Sequence, residues 1–502
     1  MVNESCTISQ VCLKKISFDK PKNMKITRGY TMTGFLIAVL FFASCHKKAS
    51  VAPELSVSPS EIILPSEGGT ADLAINANAT WNINNAASSW LHLSQTSGNS
   101  GSATTRLSAT LNTSGATRST VLVINSSNGQ ARNVTVSQAN RLYPSYNTSP
   151  KPADSTGMST AVQLAAKIKL GWNLGNTMEA PGGETGWGNP VITESYIKFV
   201  KQSGFNAIRI PCSFDWYHVD NKATAHIDQN WLNRVKTVVG YCVNNDMYVL
   251  LNIHWDGGWL ENNCTPNKKD SVNAKQKAYW EQIATALRDF DEHLMFASAN
   301  EPNADDATKM GVLLSYHQTF INTVRSTGGK NSHRCLVIQG SSEWISVNAF
   351  PTDPTPNRLM YEEHNYTPFQ FTALDGDASW GKMFYYWGAG HHSTIEPDRN
   401  PNWGEESEQV KYFDKIKAMF IDKNIPVLMG EYGAYRRSGS RNVPKDLDTH
   451  NASVDYWLTY VTNQALTHGV KPFFWDTGGA IDRQNNTVKD QRTIDAIIAG
   501  SK

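Results

Sequence analysis

The sequence predicts an α/β fold, a (β/α)8 TIM barrel, carried behind a small all-β sandwich of immunoglobulin-like type. From about Thr160 onward, eight short apolar runs of β type alternate with amphipathic helical stretches, as repeated βα units do. Between Leu55 and Ala139 the chain is instead rich in Ser, Thr, Asn and Gly and alternates apolar with polar residues at period two, as half-buried strands do. At 502 residues the chain is also too long for one core, so two or three folded units are expected. The balance of 46 Lys+Arg against 45 Asp+Glu gives a net charge of +1, which argues against nucleic acid as a partner because no basic field is present to neutralise phosphates. Disorder is excluded by 40% hydrophobic residues, and a disulfide-stapled scaffold by seven cysteines, sparse and odd in number.

The first 45 residues read as an address. Thr31 to Ser44 is an apolar run of about 14 residues, short of the roughly 20 that a spanning helix needs, and fits a signal-peptide core. Met24, with Lys25 and Arg28 after it, makes a conventional basic start, so translation is expected to begin there. Phe42-Ala43-Ser44-Cys45 resembles a bacterial lipobox, which implies lipidation at Cys45. Phe42 stands where the pattern usually has Leu, and simple secretion is the alternative. The chain is then an exported lipoprotein at the outer membrane, on its periplasmic or cell-surface face, touching the membrane only through a lipid anchor. The basic His46-Lys47-Lys48 differs from the acidic run associated with surface export.

Residues 51–140 form the sandwich. Ala71, Leu73 and Ile75 alternate with polar residues, as do Leu107, Ala109 and Leu111. Val121 to Ile124, Asn128-Gly129, then Val134 and Val136 read as a hairpin, both turn residues being tolerant of positive φ. Leu55 to Thr70, Trp81, the SSWLHLS of Ser88 to Ser94 and the closing VTVSQA of Val134 to Ala139 resemble a BACON-type domain, a class proposed to bind carbohydrate. This segment has no Phe or Tyr, and Trp81 and Trp90 lie in core patterns, so a spacer role is the stronger expectation. Residues 141–159, with Pro144, Pro150 and Pro152, read as a linker.

The barrel, residues 160–502, follows. Its strands are expected to begin near Leu170, Ala207, Tyr248, Leu294, Cys335, Leu359, Pro426 and Lys471. Helices lie between them, such as Trp231 to Cys242 with Leu232, Val235, Val239 and Cys242 on one face, and Val410 to Phe420 with Val410, Phe413 and Met419. A doubly wound sheet is the rival fold, but no Gly-rich dinucleotide fingerprint follows the first strand. Arg209, His254, Asn300-Glu301, His364, Glu431 and Trp475 each fall at or just past the carboxyl end of a different strand, where a barrel gathers residues around one mouth. Any one of them alone has a structural explanation; six strands ending this way are much harder to dismiss. Glu301 and Glu431 would project from strands four and seven, a paired-carboxylate arrangement suited to glycoside hydrolysis.

SANEP (Ser298 to Pro302) and GEYG (Gly430 to Gly433) resemble the acid/base and nucleophile motifs of glycoside hydrolase family 5. So do GWNLGNTMEA (Gly171 to Ala180), ETGWGNP (Glu184 to Pro190), IRIP (Ile208 to Pro211), NIHWDGG (Asn252 to Gly258), HNY (His364 to Tyr366) and FFWD (Phe473 to Asp476), in order along the chain. The resemblance implies Glu301 as general acid/base and Glu431 as nucleophile of a retaining enzyme. It implies that Arg209 keeps Glu431 ionised, Asn300 holds the sugar 2-hydroxyl, and His364 and Tyr366 orient the carboxylates. Trp475 would form the floor under the sugar, and His254 would line the adjacent subsite with Trp255 beside it. Asn173 is a further supporting residue.

All of the 15 tryptophans except Trp81 and Trp90 lie in the barrel. Trp187, Trp255, Trp259, Trp380, Trp387 and Trp403 fall in loop-like surroundings and are candidate sugar platforms, whereas Trp231, Trp280 and Trp457 sit on helical patterns. Several platforms suit internal cleavage of a long β-linked polysaccharide, with β-1,4-glucan the first choice and xyloglucan, mixed-linkage glucan and mannan as alternatives. A non-catalytic glycan-binding lipoprotein is the different-class alternative. No cofactor and no metal are expected: His391-His392 are adjacent, without further ligands at suitable spacing, and Asp305-Asp306 read as a solvated helix start. Cys212, Cys242 and Cys335 fit buried positions and Cys264 a loop, with no pairing fixed. A monomer is expected.

Overall fold

The computed structural model describes residues 52–502 except 113, 115, 342–344, 347–348 and 439–441. The signal region and Cys45 therefore lie outside the described residues. Nine strands form the sandwich: β1 (Leu55–Ser58), β2 (Glu61–Leu64), β3 (Gly69–Ala77), β4 (Trp81–Asn84), β5 (Leu91–Leu93), β6 (Ser97–Gly98), β7 (Gly101–Ala109), β8 (Arg118–Ser126) and β9 (Ala131–Gln138). They make two sheets, ordered β1-β3-β7-β5 and β2-β9-β8-β4-β6. The alternation in sequence becomes alternation in burial, since Leu73, Ile75, Leu107, Leu122, Ile124, Val134 and Val136 all face one core. Trp81 and Trp90 lie in that core too, at 2% and 9% exposure. The β8–β9 turn differs from the paired positive-φ turn expected of Asn-Gly, because only Gly129 takes positive φ, at 88°. The Gly129 N–H donates to the Ser126 carbonyl at 3.0 Å and the Ser126 N–H to the Gln130 carbonyl at 2.8 Å. Such a longer loop needs one left-handed residue, and glycine supplies it.

Eight parallel strands close the barrel. In order they are Gly171–Leu174, Ala207–Cys212, Tyr248–Ile253, Leu294–Ala297, Leu336–Gln339, Leu359–Asn365, Val427–Tyr432 and Lys471–Asp476. The first pairs with the eighth, Gly171 opposite Phe473. A Cβ at Gly171 would fall inside the Phe473 ring, so glycine is required for this closure. Inward side chains (Ala207, Leu250, Met295, Ala297, Val337, Met360, Leu428 and Phe473) fill the interior, and Ala161, Leu164 and Ala165 of α1 (Ala161–Lys167) pack into the same cluster.

Around the barrel lie α2 (Glu194–Gln202), α3 (Gln229–Asn244), α4 (Lys269–Leu287), α5 (Ala307–Ser326), the short α6 (Phe369–Thr372), α7 (Glu406–Met419), α8 (Leu447–Thr467) and α9 (Gln491–Gly500). The apolar face expected on α3 is buried as read. On α7 the buried face is Gln409, Phe413 and Ile416, with Val410 and Met419 only partly covered, one helical step away from the expected stripe. Asp306 caps α5 by accepting the Lys309 N–H at 2.8 Å. The linker is fastened to the barrel: Glu281 of α4 accepts the Tyr146 N–H at 2.6 Å, and Lys277 of the same helix lies 2.8 Å from Glu67 of the sandwich. Cys212, Cys242, Cys264 and Cys335 are all free, buried thiols. No helix among the described residues is long and apolar enough to cross a membrane.

Candidate active site

The carboxyl ends of the strands bring Asn173, Arg209, His254, Asn300, Glu301, His364, Tyr366, Glu431 and Trp475 to one mouth. Arg209, fully buried on the second strand, organises them. Its Nη1 donates to Glu431 Oε1 at 2.8 Å and to Asn173 Oδ1 at 3.1 Å, and its Nη2 to Asn300 Oδ1 at 2.7 Å. Asn173 in turn donates to the Gly430 carbonyl at 2.9 Å, tying the first strand to the seventh. The Tyr366 hydroxyl donates to Glu431 Oε2 at 3.1 Å, so both oxygens of that carboxylate are held. His364 Nδ1 lies 2.8 Å from Glu301 Oε1 and 3.9 Å from Glu431 Oε1. One oxygen of Glu301, one of Glu431 and a His364 nitrogen all come within 4.8 Å of one another. The two carboxylates differ in access: the Glu301 side chain is 56% exposed and that of Glu431 only 8%.

Local backbone irregularities aim both glutamates. Glu301 sits at φ 46°, a left-handed conformation uncommon outside glycine. Two side chains absent from the sequence reading support it: Gln339 accepts the Glu301 N–H at 2.6 Å and Glu261 accepts the Asn300 N–H at 3.3 Å. Between the sixth and seventh strands the register shifts, so that Glu363 faces Met429 while His364 faces Glu431. A bulge of this kind turns a side chain toward a site. Gly430 lies at the shift, and a Cβ there would collide with the carboxylate of Glu362. Glu362 is the third missed residue: fully buried, it places Oε1 2.9 Å from Arg209 Nε and 3.1 Å from His364 Nε2. Met360, Glu362 and His364 alternate along one strand, so period two was the signal that could have found it.

Burial opposes the Arg209 charge, but Glu362 and Glu431 outweigh it and hold the guanidinium above its ordinary value. Burial likewise opposes a charged His364, yet Glu431, Glu301 and Glu362 push it up to about 10. For His254 burial outweighs the charge of Glu431 and brings it down to about 3, leaving a neutral ring stacked 5.7 Å from Trp475. Desolvation by the cleft walls raises the Glu301 carboxyl, but the hydrogen bond and charge of His364 more than cancel this and leave it below the usual carboxylate value. The positive charge among these carboxylates is thus supplied by Arg209 and His364.

The platform set is partly corrected. Trp187, Trp255, Trp380 and Trp403 are exposed, but Trp387 is fully buried and Trp259 is 8% exposed, packed edge-on against Tyr279. Their Gly- and Asn-rich neighbours made buried rings look like loop residues. Trp216 and Tyr217 are exposed and were missed; Trp216 meets Trp255 edge-to-face at 5.7 Å. Asp256, buried beside Trp255, accepts the N–H groups of Phe214 at 2.6 Å and Trp216 at 2.9 Å, so one carboxylate holds the loop that carries Trp216. Burial pushes Asp256 up to about 6 despite those donors. His391 stacks on Tyr456 while His392 pairs with Glu405, so the adjacent histidines do not converge.

A closed parallel barrel with two glutamates at the ends of its fourth and seventh strands defines a glycoside hydrolase of the paired-carboxylate type. The family described as cellulase (glycosyl hydrolase family 5) matches residues 173–480, and the chain belongs to that family. Residues 54–141 match a domain described as viral BACON, so the sandwich is of BACON type. A xyloglucan-specific endo-β-1,4-glucanase of Bacteroides ovatus is 30% identical over 490 residues, covering 91% of this chain and 94% of that protein. Endoglucanase A of Paenibacillus barcinonensis is 32% identical over 398 residues, 72% of this chain and 95% of the relative. Among solved structures, a Bacteroides ovatus family 5 xyloglucanase in complex with an XXXG heptasaccharide superposes with a TM-score of 0.66 at 29% identity, covering 89% of this chain and all (100%) of that one. A xyloglucan-specific β-1,4-glucanase from a ruminal metagenomic library, in complex with XXLG, gives 0.63 at 36% identity, with 68% and 96% covered.

Proposed function

We propose that this chain is a retaining endo-acting β-1,4-glucan hydrolase working by double displacement. The observation that carries the reading is the close approach of the carboxylates: the nearest oxygens of Glu301 and Glu431 lie within 4.8 Å of each other, which favours the shorter of two group separations. A retaining pair stands about 5 to 5.5 Å apart, whereas an inverting pair leaves about 6.5 to 9.5 Å for a water. In the first step Glu301 protonates the departing glycosidic oxygen while Glu431 attacks the anomeric carbon. In the second, ionised Glu301 takes a proton from water, which displaces Glu431. Arg209 and Tyr366 hold Glu431 in its attacking orientation, and His364 orients Glu301. Asn300 is turned by Arg209 to meet the sugar 2-hydroxyl, Trp475 with His254 floors the cleavage subsite, and Trp255 extends it. Proton NMR of freshly released product is expected to show the β-anomer first; initial α-anomer would refute the mechanism.

Xyloglucan is the second substrate reading. The xyloglucan-active relatives favour it, as does a cavity of about 750 Å³ lined by Tyr366 and Trp475 together with small residues such as Gly433, Ala434 and Gly479. Such space suits a branch on the glucan backbone. Reducing-sugar release from carboxymethyl cellulose, lichenan, xyloglucan, xylan and glucomannan ranks these substrates. Glu301→Gln serves as the control that separates an enzyme from a non-catalytic glycan binder. The sandwich, with both tryptophans buried, is read as a spacer, and its retention on insoluble glucan or mucin would overturn that. The exported, lipid-anchored state through Cys45 is tested by fatty-acid labelling of wild type and Cys45→Ala.

A further inference from the structure

We infer that Glu362 is a positioning residue that holds His364 as an imidazolium and thereby sets the pH range over which Glu301 keeps its proton. This rests on the assignment of Glu301 as the acid. The geometry is specific: His364 presents Nδ1 to Glu301 at 2.8 Å and Nε2 to Glu362 at 3.1 Å, a carboxylate on each side of one ring. A neutral imidazole has one N–H and would turn a lone pair toward one of these carboxylates; only the doubly protonated ring donates to both. Glu362 is fully buried and its Oε2 has no hydrogen-bond partner, so its charge is compensated by Arg209 and His364.

The charges at the mouth make the role of this buried carboxylate concrete. Facing His364 are Arg209 from the second strand, neutral His254 from the third, Glu301 from beyond the fourth, and Glu431 from the seventh. Its own strand contributes Glu362, Tyr366 just beyond it, and Glu363, which is turned toward Tyr361 and Lys415. Two cations, Arg209 and His364, therefore meet three carboxylates. The cluster is neutral when one carboxylate carries a proton. Glu301 is the exposed member and the one without a guanidinium bond; His364 holds it below the usual carboxylate value while the charge of Glu362 acts in the opposite sense, so Glu362 opposes the loss of that proton. Removing the charge of Glu362 removes the need for that proton, and the Glu301–His364 pair should give it up at lower pH.

The test uses the full-length protein. Glu362→Gln keeps the shape and removes the charge, and the basic limb of its kcat/KM profile on soluble β-glucan should move toward acid by about one pH unit or more. Glu362→Asp keeps the charge and should leave that limb within a few tenths of a unit, with any loss appearing in kcat. A limb unmoved in folded Glu362→Gln, or moved equally by Glu362→Asp, overturns the inference. Because Glu362→Gln risks failing to fold, NMR of the wild-type protein labelled at histidine gives a second readout. The His364 ring should carry both protons at pH 7, and a neutral ring there overturns the inference without reference to activity. Failure of the acid/base assignment would look different: Glu301→Gln would then retain wild-type hydrolysis.

Discussion

Replacing Arg209 by lysine tests the organisation of the mouth most directly. The guanidinium makes four contacts at once: Glu431 at 2.8 Å, Asn173 at 3.1 Å, Asn300 at 2.7 Å and Glu362 at 2.9 Å. Lysine preserves the charge but presents a compact ammonium instead of a planar fork, and cannot reach all four. Losing two hydrogen bonds of the charged kind, each about 1.5 to 3 kcal/mol, with partial recovery from the retained charge, leaves a deficit of about 3 kcal/mol. That corresponds to roughly a 150-fold fall in kcat/KM. Arg209 is fully buried and bonds to Glu431 and Asn300, so the loss should fall mainly on kcat, with KM changed only a few-fold. Initial rates on a soluble β-glucan, with circular dichroism to verify folding, provide the measurement. A folded Arg209→Lys protein within threefold of wild-type kcat/KM would refute the reasoning.

Trp216→Ala removes the exposed ring that braces Trp255, and a loss of about 1 kcal/mol should raise KM on long polysaccharide roughly fivefold while leaving a short aryl glycoside unaffected. Gly430→Ala drives a Cβ into the Glu362 carboxylate and should cost about 1 to 3 kcal/mol of stability together with most of the activity; an unchanged melting temperature and rate would contradict the register shift. The two catalytic-face histidines bound stability from opposite sides. His364 is raised to about 10 from 6.5, so its contribution is full below about pH 6.5 and is lost as the pH rises toward 10. His254 is lowered to about 3, so its contribution is full above about pH 6.5 and is lost as the pH falls toward 3. Urea midpoints across that range should lose their alkaline decline in His364→Gln and part of their acid decline in His254→Gln.

The barrel was legible because each strand is a short apolar run between helices of clear period, and all eight runs became strands. Local composition is a poor guide to exposure. Trp387 has glycine on one side and in the next turn of chain, yet its indole donates to the Gly404 carbonyl at 2.9 Å and the ring is fully covered. Trp216 lies in a stretch without glycine, yet it is exposed, with its backbone N–H held by Asp256, distant in sequence. Burial at a barrel mouth is decided by loops from different strands, and one strand's sequence carries no record of the others.

The same distinction separates the legible part of the site from the hidden part. Asn300, Glu301, His364, Tyr366 and Glu431 belong to compact motifs in which chemistry and local spacing occur together. Glu261, Gln339 and Glu362 act instead through a partner on another element: Glu261 holds the Asn300 N–H, Gln339 the Glu301 N–H, and Glu362 joins Arg209 to His364. A buried glutamate is costly unless paired, so three charged or polar side chains sealed beneath a mouth imply that each has found its partner there. In this protein the partners are the backbone at Asn300 and Glu301 and the side chains around Glu431. The residues that sequence motifs miss are therefore those fixing how the motif residues stand and how they are charged, and Glu362 combines both roles on one strand with the histidine it controls.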